Sequence, residues 1–155
     1  MLCDSRIARD PEFVVVRMVG ILIITHGTLG ESLLHCASHI LGSRPRSLAQ
    51  IGITPQDDPQ LILPQAIRLV RSLDDGSGVL IFTDIYGGTP SNVATRLLTP
   101  NKIEGVAGVN LPMLIRALTY RSEPLSAVVE KALSGGTEGV VHMPPPEQTS
   151  AATGS

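Results

Sequence analysis

Two polar residues, His26 and Asp84, each follow a run of apolar residues in a way that favours joint chemistry. The runs begin near Ile21 and Val79, and their β-branched composition predicts buried strands. Ligands of open parallel sheets bind at the carboxyl ends of such strands. A carboxylate that accepts the Nδ1 proton of an imidazole fixes its tautomer and leaves Nε2 free as a nucleophile. We therefore predict that His26 and Asp84 meet in one site.

Glycine and threonine residues around this pair indicate which electrophile the imidazole would attack. Gly87 and Gly88 permit a close approach of backbone amides at the start of a helix, where the helix dipole favours an anion. The threonines that would add hydroxyl donors are Thr25, Thr28 and Thr89. Each feature alone is weak, because a double glycine can serve only a turn. Together they predict a phosphoryl group on His26.

Strand and helix patterns alternate from Met18 onward, which predicts an α/β fold with a mainly parallel sheet and helices on both faces. The predicted strands cover residues 19–25, 48–53, 79–83 and 105–109, followed by a short strand at 139–143. Helices are predicted after Thr28, after Asp58, and from Pro90, Pro112 and Pro124. A flavodoxin-like three-layer arrangement with strand order 2-1-3-4 would place His26 beside Asp84.

Caps, helix breakers and apolar spacing give further expectations for the helices. Thr28 and Glu31 form a capping-box pattern at the start of the first helix, and Gly42 is placed to end it. Pro64 conflicts with a second helix that reaches Leu73, so we expect a kink there or a later start. A double glycine at 135–136 is expected to close the last helix. The residues expected to pack the first helix on the sheet are Leu29, Leu33, Ala37, Ile40 and Leu41.

His35 and His39 lie four residues apart on the opposite face of the first helix, a spacing that could clamp a metal ion. No third ligand is evident nearby, so two solvated histidines are the favoured interpretation. The sequence therefore predicts no metal site.

Composition limits the domain organisation and the classes of partner. With 155 residues, 43% hydrophobic and 17% charged, the chain is expected to form one domain over residues 18–143. Residues 1–17 are expected to be a poorly ordered extension, and residues 144–155 a flexible tail. A net charge of -2 without a Lys/Arg cluster argues against nucleic acid as a partner.

Neither the membrane nor an oxidising compartment is predicted as the location of this chain. The uninterrupted apolar run at residues 18–24 is far too short to cross a bilayer, and Arg17 interrupts a signal-peptide pattern. Cys3 and Cys36 form neither a disulfide framework nor a metal-binding spacing, which favours a reducing compartment. We expect a cytoplasmic protein.

Three segments carry a resemblance to a known family: Thr25-His26-Gly27, residues 84–92 (DIYGGTPSN) and residues 108–114 (GVNLPML). Together they resemble the IIA component of the mannose/fructose/sorbose class of the bacterial sugar phosphotransferase system. The resemblance covers about residues 18–143 in matching order. Pro64 within the second helix and Tyr86, where tryptophan is common, depart from the family pattern. Neither departure removes a phosphoryl-transfer residue.

This resemblance implies a histidine phosphotransferase without a cofactor. His26 would accept a phosphoryl group from the histidine-containing phosphocarrier protein and pass it to a histidine of a separate IIB component for sugar uptake. Asp84 would orient the imidazole, and Thr89 with the amides around Gly88 would bind the phosphoryl group. The loop residues beside the site would be Tyr86, Asn110 and Leu111. A homodimer that exchanges the strand at 139–143 is also implied.

Three alternatives stay open at the level of the sequence. A regulatory IIA-type module would use phosphorylation of His26 as a signal, without sugar transport. A flavin carrier could use residues 25–31 as a phosphate loop, although 3% aromatic residues and no tryptophan leave little to stack on a flavin. A tetrapyrrole metal chelatase could use His26 as base or ligand, but it would need further acidic or histidine partners.

Overall fold

A four-stranded parallel sheet forms the centre of the fold. The computed structural model describes residues 16–147. Its strands are β1 (Gly20–His26), β2 (Leu48–Ile53), β3 (Val79–Thr83) and β4 (Ile103–Ala107), in the order β2-β1-β3-β4. All three strand pairs are parallel, so the predicted α/β class and strand order are confirmed. The predictions for residues 1–15 and 148–155 lie outside the described residues.

Helices cover both faces of this sheet. Those in residues 16–147 are α1 (Leu29–Leu41), α2 (Pro59–Leu73), α3 (Thr89–Thr95), α4 (Leu111–Tyr120) and α5 (Leu125–Glu138). Buried side chains of α1, α4 and α5 pack with Ile21 and Phe82 on one face. Those of α2 and α3 pack with Ile24 and Ile81 on the other. Because both faces are covered, β1 and β3 are apolar at nearly every position instead of alternating.

The register of the central strands brings the two predicted site residues together. Ile24 pairs with Thr83, and His26 pairs with Ile53 on the other side of β1. β1 therefore extends two residues beyond the last residue of β3. Asp84, which follows β3 directly, lies beside this extension.

Several helix predictions are wrong, and packing gives the reason. Thr28 makes no side-chain capping bond, so the capping box does not form. Leu29, Ile40 and Leu41 are exposed. The buried face of α1 consists of Gly30, Leu33, Leu34 and Ala37, at the i, i+3, i+4, i+7 spacing of one helical stripe. The predicted end at Gly42 is confirmed.

Pro64 neither delays nor interrupts α2. The helix begins at Pro59, and the side chain of Asp58 caps it by accepting a hydrogen bond from the Gln60 amide, as predicted. It then continues through Pro64 to Leu73. Burial of Ile62, Ala66, Val70 and Leu73 against the sheet compensates for the backbone hydrogen bond that proline lacks.

Near its carboxyl end the described chain also differs from the prediction. α5 does not stop at Gly135 and Gly136, because these glycines serve packing: a side chain on either would press on α4. The predicted strand at 139–143 is not formed, since residues 140–147 have no regular secondary structure and Val140 and Met143 are exposed. Within the described part of the single chain, these residues pair with no strand, and their exchange into a second copy stays a prediction.

The strand and helix ends at β4 and α4 also shift. β4 begins at Ile103, two residues before the predicted start, and α4 begins at Leu111, with Asn110 as its N-cap. No helix in the described part of the chain is long and apolar enough to span a membrane.

Candidate active site

His26 and Asp84 form a hydrogen-bonded pair at the carboxyl edge of the sheet. His26 Nδ1 lies 2.8 Å from Asp84 Oδ2, and the His26 backbone amide donates to the same oxygen at 2.9 Å. The other carboxylate oxygen accepts from the Ile85 amide at 2.8 Å. The Asp84 side chain is 14% exposed and the His26 side chain 53%. With Nδ1 held by the carboxylate, Nε2 is the free nitrogen of a half-exposed ring.

The hydrogen bonds keep Asp84 ionised. Its partial burial alone would raise the pKa of the carboxyl group. The bonds from the His26 amide, the His26 imidazole and the Ile85 amide outweigh this effect, and the pKa of Asp84 lies below its ordinary value. The carboxylate is therefore available to stabilise positive charge on the imidazole over the physiological pH range.

The glycine turn after β3 lies against the imidazole. A Cβ placed on Gly88 would be 3.0 Å from His26 Cε1 and 3.5 Å from Nε2, so a side chain here would press on the ring. Gly87 has a φ of +91°, which a residue with a side chain rarely adopts. Its amide donates to Ser91 Oγ at 2.8 Å. Within residues 16–147, the amides of Gly88 and Thr89 donate to no acceptor and stay available for a ligand.

Two of the predicted phosphoryl-binding residues have other roles in the structure. Thr25 is completely buried, and its hydroxyl accepts from the Gly30 amide at 2.8 Å, which fixes the first turn of α1. The Gly87 amide is occupied by Ser91. Both groups shape the loops that carry the site, and neither offers a free donor to it. Thr89 is half-buried and lines the cleft beside His26.

A cleft of about 580 Å³ opens next to the imidazole. Its wall includes the β2–α2 loop, in which Asp57 Oδ2 accepts from the Thr54 amide at 2.7 Å and from the Thr54 hydroxyl at 3.0 Å. The sequence analysis missed this loop. The run Thr-Pro-Gln-Asp-Asp directly after β2 was the available signal, because β2 ends at the same edge of the sheet as β1.

The three predicted loop residues differ in what they can contact. Tyr86 is 85% exposed and free to meet a partner. Asn110 uses its side chain inside the fold: Oδ1 accepts from the Met113 amide at 2.9 Å, and Nδ2 donates to the Gly136 carbonyl at 3.1 Å. Leu111 packs against the apolar core. Asn110 and Leu111 therefore anchor α4 instead of offering free polar groups.

Metal ligation is not supported within residues 16–147. No group of three or more His, Cys, Asp or Glu side chains in this range is placed to hold a metal ion. His35 and His39 are both exposed on α1.

Comparison with known proteins matches this fold and site to one family. Residues 20–133 fit the family model EIIA-man, described as PTS system fructose IIA component. This match covers more than half of the chain. The chain belongs to the EIIA-man family. Membership favours the phosphotransferase interpretation over the flavin carrier and the chelatase.

Individual relatives agree with this assignment. The PTS system mannose-specific EIIAB component of Escherichia coli (strain K12) is 34% identical over 125 residues, which are 79% of this chain and 38% of that protein. The chain thus spans well under half the length of this relative. The PTS system fructose-specific EIIA component of Bacillus subtilis (strain 168) is 27% identical over 105 residues, 67% of this chain and 71% of that protein.

A solved structure supports the same conclusion for the fold. Phosphotransferase system component EIIA from Streptococcus agalactiae superimposes with a TM-score of 0.72 at 29% identity, covering 81% of this chain and 97% of that one. The predicted family and the flavodoxin-like arrangement are therefore confirmed.

Proposed function

We propose that this chain is a phosphocarrier in which His26 accepts a phosphoryl group from the histidine-containing phosphocarrier protein and passes it to a histidine of a IIB component. The observation that carries the proposal is the His26–Asp84 pair, with Nδ1 on a carboxylate at 2.8 Å and the ring half-exposed. This arrangement leaves one nitrogen lone pair pointing away from the carboxylate, as an in-line phosphoryl transfer requires.

In the proposed reaction, the Nε2 lone pair of His26 attacks phosphorus while the P–N bond of the donor phosphohistidine breaks. The bonding electrons return to the donor nitrogen. The proton on Nδ1 stays in its bond to Asp84, and the carboxylate stabilises the positive charge that the ring gains. Transfer to the IIB histidine is the same step with His26 as the leaving group, so one site geometry serves both directions.

We assign phosphoryl binding to the amides of Gly88 and Thr89 together with the Thr89 hydroxyl. The support is that both amides lack an acceptor in the described chain and that Gly88 lies directly against the imidazole. Hydrogen bonds to the three equatorial oxygens would strengthen as their charge develops. Catalysis would come mainly from positioning and electrostatic stabilisation.

We also propose that the chain works as a homodimer. The outer edge of β4 has no partner strand among the described residues. Residues 139–143 leave α5 with exposed apolar side chains, which suit an added strand on a second copy. A chain shortened after Glu138 should then sediment as a monomer. An unchanged dimer in this variant would contradict strand exchange.

A cytoplasmic location belongs to the same proposal. It follows from cysteine usage, because an exposed free thiol such as Cys36 suits a reducing compartment.

The decisive experiment is intact-mass and peptide analysis after incubation with phosphoenolpyruvate, enzyme I and the phosphocarrier protein. We expect one acid-labile phosphate on His26, which then disappears when a cognate IIB component is added. The control is a donor system shown to be active on another IIA protein. A chain that stays unmodified with that donor system would overturn the proposed function.

A further inference from the structure

Gly27, the residue that follows His26, lies against the neighbouring strand β2. The Gly27 amide donates to the Ile53 carbonyl at 2.8 Å. The Gly27 carbonyl oxygen occupies the space where a side chain on Gly52 would be, far closer than the 3.0 Å limit that real Cβ atoms keep. The register of the two strands explains this contact, because Thr25 pairs with Gly52 and His26 pairs with Ile53.

His26 is thus fixed from both sides of β1. On the β3 side, Asp84 binds its backbone amide and its imidazole. On the β2 side, the next residue, Gly27, is bonded through its amide to the Ile53 carbonyl, and its own carbonyl lies against Gly52. If the β2 restraint moved, the backbone that carries the imidazole would move relative to Asp84.

The backbone conformation of β2 does not require a glycine at position 52. Gly52 lies inside β2, and its φ is outside the left-handed range, so a residue with a side chain could adopt its backbone conformation. Glycine weakens a strand interior and often marks a place where another backbone approaches closely. At this position, the absence of a side chain leaves room for the Gly27 carbonyl.

We propose that Gly52 is a positioning residue for phosphoryl transfer, which acts by letting the Gly27 peptide lie on β2 and so sets the position of the His26 imidazole. The inference rests on the proposed function of His26. It assigns a role to a residue that lies outside the His26–Asp84 pair and the glycine turn.

Gly20 provides a matched control for a substitution at Gly52. A side chain on Gly20 would overlap the Leu73 carbonyl oxygen, so Gly20→Ala creates the same kind of clash between a methyl group and a backbone oxygen. Gly20, however, begins β1, at the opposite edge of the sheet from His26. Gly52→Ala and Gly20→Ala should both destabilise the fold, whereas only Gly52→Ala should disturb the site.

The test compares both variants with the unaltered chain in single-turnover phosphorylation by the phosphorylated phosphocarrier protein, at equal folded fractions. We expect Gly52→Ala to lower the rate at saturating donor on the order of 10-fold or more, because small displacements of a reacting group slow transfer strongly. Its half-saturating donor concentration should not change. Gly20→Ala should transfer at the rate of the unaltered chain. Equal rates for the two variants would overturn the proposal.

Nitrogen-15 shifts of the His26 ring supply a readout that does not depend on phosphorylation. They should change in Gly52→Ala, where the Nδ1 bond to Asp84 is displaced, and stay constant in Gly20→Ala. If the unaltered chain accepts no phosphate, the proposed function fails, while these shifts still decide whether Gly52 positions His26. Unchanged shifts in folded Gly52→Ala would refute the positioning role.

Hydrogen exchange in the unaltered chain keeps the proposal testable if Gly52→Ala does not fold. The Gly27 amide should then be protected to a similar degree as amides in the centre of β1, because it is bonded to Ile53. Rapid exchange of the Gly27 amide would show that its peptide is not held on β2, and the proposal would fall.

Discussion

A charged side chain links separate elements at the amino edge of the sheet, and another does so at the carboxyl edge. We call the amino edge closed because its charged group is buried, and the carboxyl edge open because the group beside its charge is exposed to solvent. At the amino edge, Arg121 is 7% exposed and donates to main-chain carbonyls of Val19, Arg46 and Ser47. At the carboxyl edge, Asp84 is bonded to His26, whose ring is half-exposed. A charged group thus serves stability at the amino edge and, under the proposed function, chemistry at the carboxyl edge.

Hydrogen bonds from all three of its guanidinium nitrogens make Arg121 a structural residue. Its guanidinium donates to the Val19 carbonyl through Nε at 3.0 Å and through an Nη at 2.9 Å, and to the Ser47 carbonyl at 2.8 Å. Burial lowers the pKa of Arg121 to about 10, and the charge of Asp75 opposes this effect. The group therefore stays protonated at physiological pH. His26 differs because, among the described residues, Nε2 has no hydrogen-bond partner and the ring is half-exposed.

Replacing the imidazole at the open edge should have the largest effect on phosphorylation and little effect on stability. His26→Ala removes the atom that accepts phosphorus, so phosphorylation by an active donor system should be lost entirely. Because the ring is half-exposed, the free energy of unfolding should change by no more than about 1 kcal/mol. Intact-mass analysis and urea unfolding measure the two effects. A phosphate of equal stoichiometry on the variant would disprove the assignment of His26.

The converse change at the closed edge should affect stability and spare the chemistry. Arg121→Met removes the donors to the Val19 and Arg46 carbonyls and one of the two donors to the Ser47 carbonyl, and we expect it to lower the free energy of unfolding by about 3 kcal/mol. The folded fraction should still accept phosphate on His26 at the rate of the unaltered chain. Urea unfolding and single-turnover phosphorylation test both statements. An unchanged urea midpoint would show that Arg121 is not a structural link.

Asp84→Asn should slow phosphoryl transfer to His26 without unfolding the chain. The amide oxygen can still accept hydrogen bonds from His26, but it carries no charge to balance a positive charge on the imidazole. We expect transfer to slow on the order of 100-fold, within the range for loss of an orienting or proton-transfer group. Phosphorylation rates at saturating donor provide the measurement, and circular dichroism confirms the fold. Transfer at the normal rate would remove the proposed role of Asp84.

Acid should reduce the stability contribution of Asp84. Its pKa is lowered in the folded chain, so the folded state favours the ionised form. This stabilisation is fully present above the pKa of the unfolded chain, near 4, and is lost as the pH falls through the lower folded value. The stability difference between the unaltered chain and Asp84→Asn should therefore shrink below about pH 4. Urea midpoints measured from pH 7 to pH 3 provide the check, and a constant difference would contradict the shift.

The smallest effect on stability is expected at Gln50, which lies in β2 and pairs with Ile23 of β1. Its side-chain oxygen is buried and has no hydrogen-bond donor among the described residues. Replacing the amide with the similar volume of methionine removes an unsatisfied polar atom, so Gln50→Met should raise the free energy of unfolding by about 1 kcal/mol. Chemical unfolding at neutral pH tests the sign. A clear loss of stability would indicate that the amide has a partner in solution.

The sequence was informative where one strong pattern governed the structure. Long β-branched runs predicted the central strands, and the rule for parallel sheets predicted that His26 and Asp84 would meet. Whether this pair carries phosphate stays a prediction. The roles of Thr25 and Gly87 were harder to predict. The sequence shows that each has a group able to donate a hydrogen bond, but it does not show that the Thr25 hydroxyl is bonded to Gly30 and the Gly87 amide to Ser91.

Other errors arose from packing between distant segments. The double glycine at 135–136 looked like a helix end, but its actual role depends on how closely α5 approaches α4, which no local pattern encodes. The expected strand at 139–143 does not form within the single chain, and its exchange into a second copy stays a prediction. Gly52 was missed for a related reason, since its proposed role depends on the carbonyl of Gly27, which follows a different strand.

One oxygen of Asp84 receives both the backbone amide and the ring nitrogen of His26, at 2.9 and 2.8 Å. The first bond fixes the point about which the side chain turns, and the second fixes the angle to which it turns. An exposed side chain that must be immobilised on binding loses about 0.5–1.5 kcal/mol of rotational freedom. His26 has already lost this freedom before any partner arrives. Under the proposed function, the protein that delivers phosphate and the protein that removes it would therefore meet the same rigid target, and neither encounter would have to wait for the ring to find its orientation.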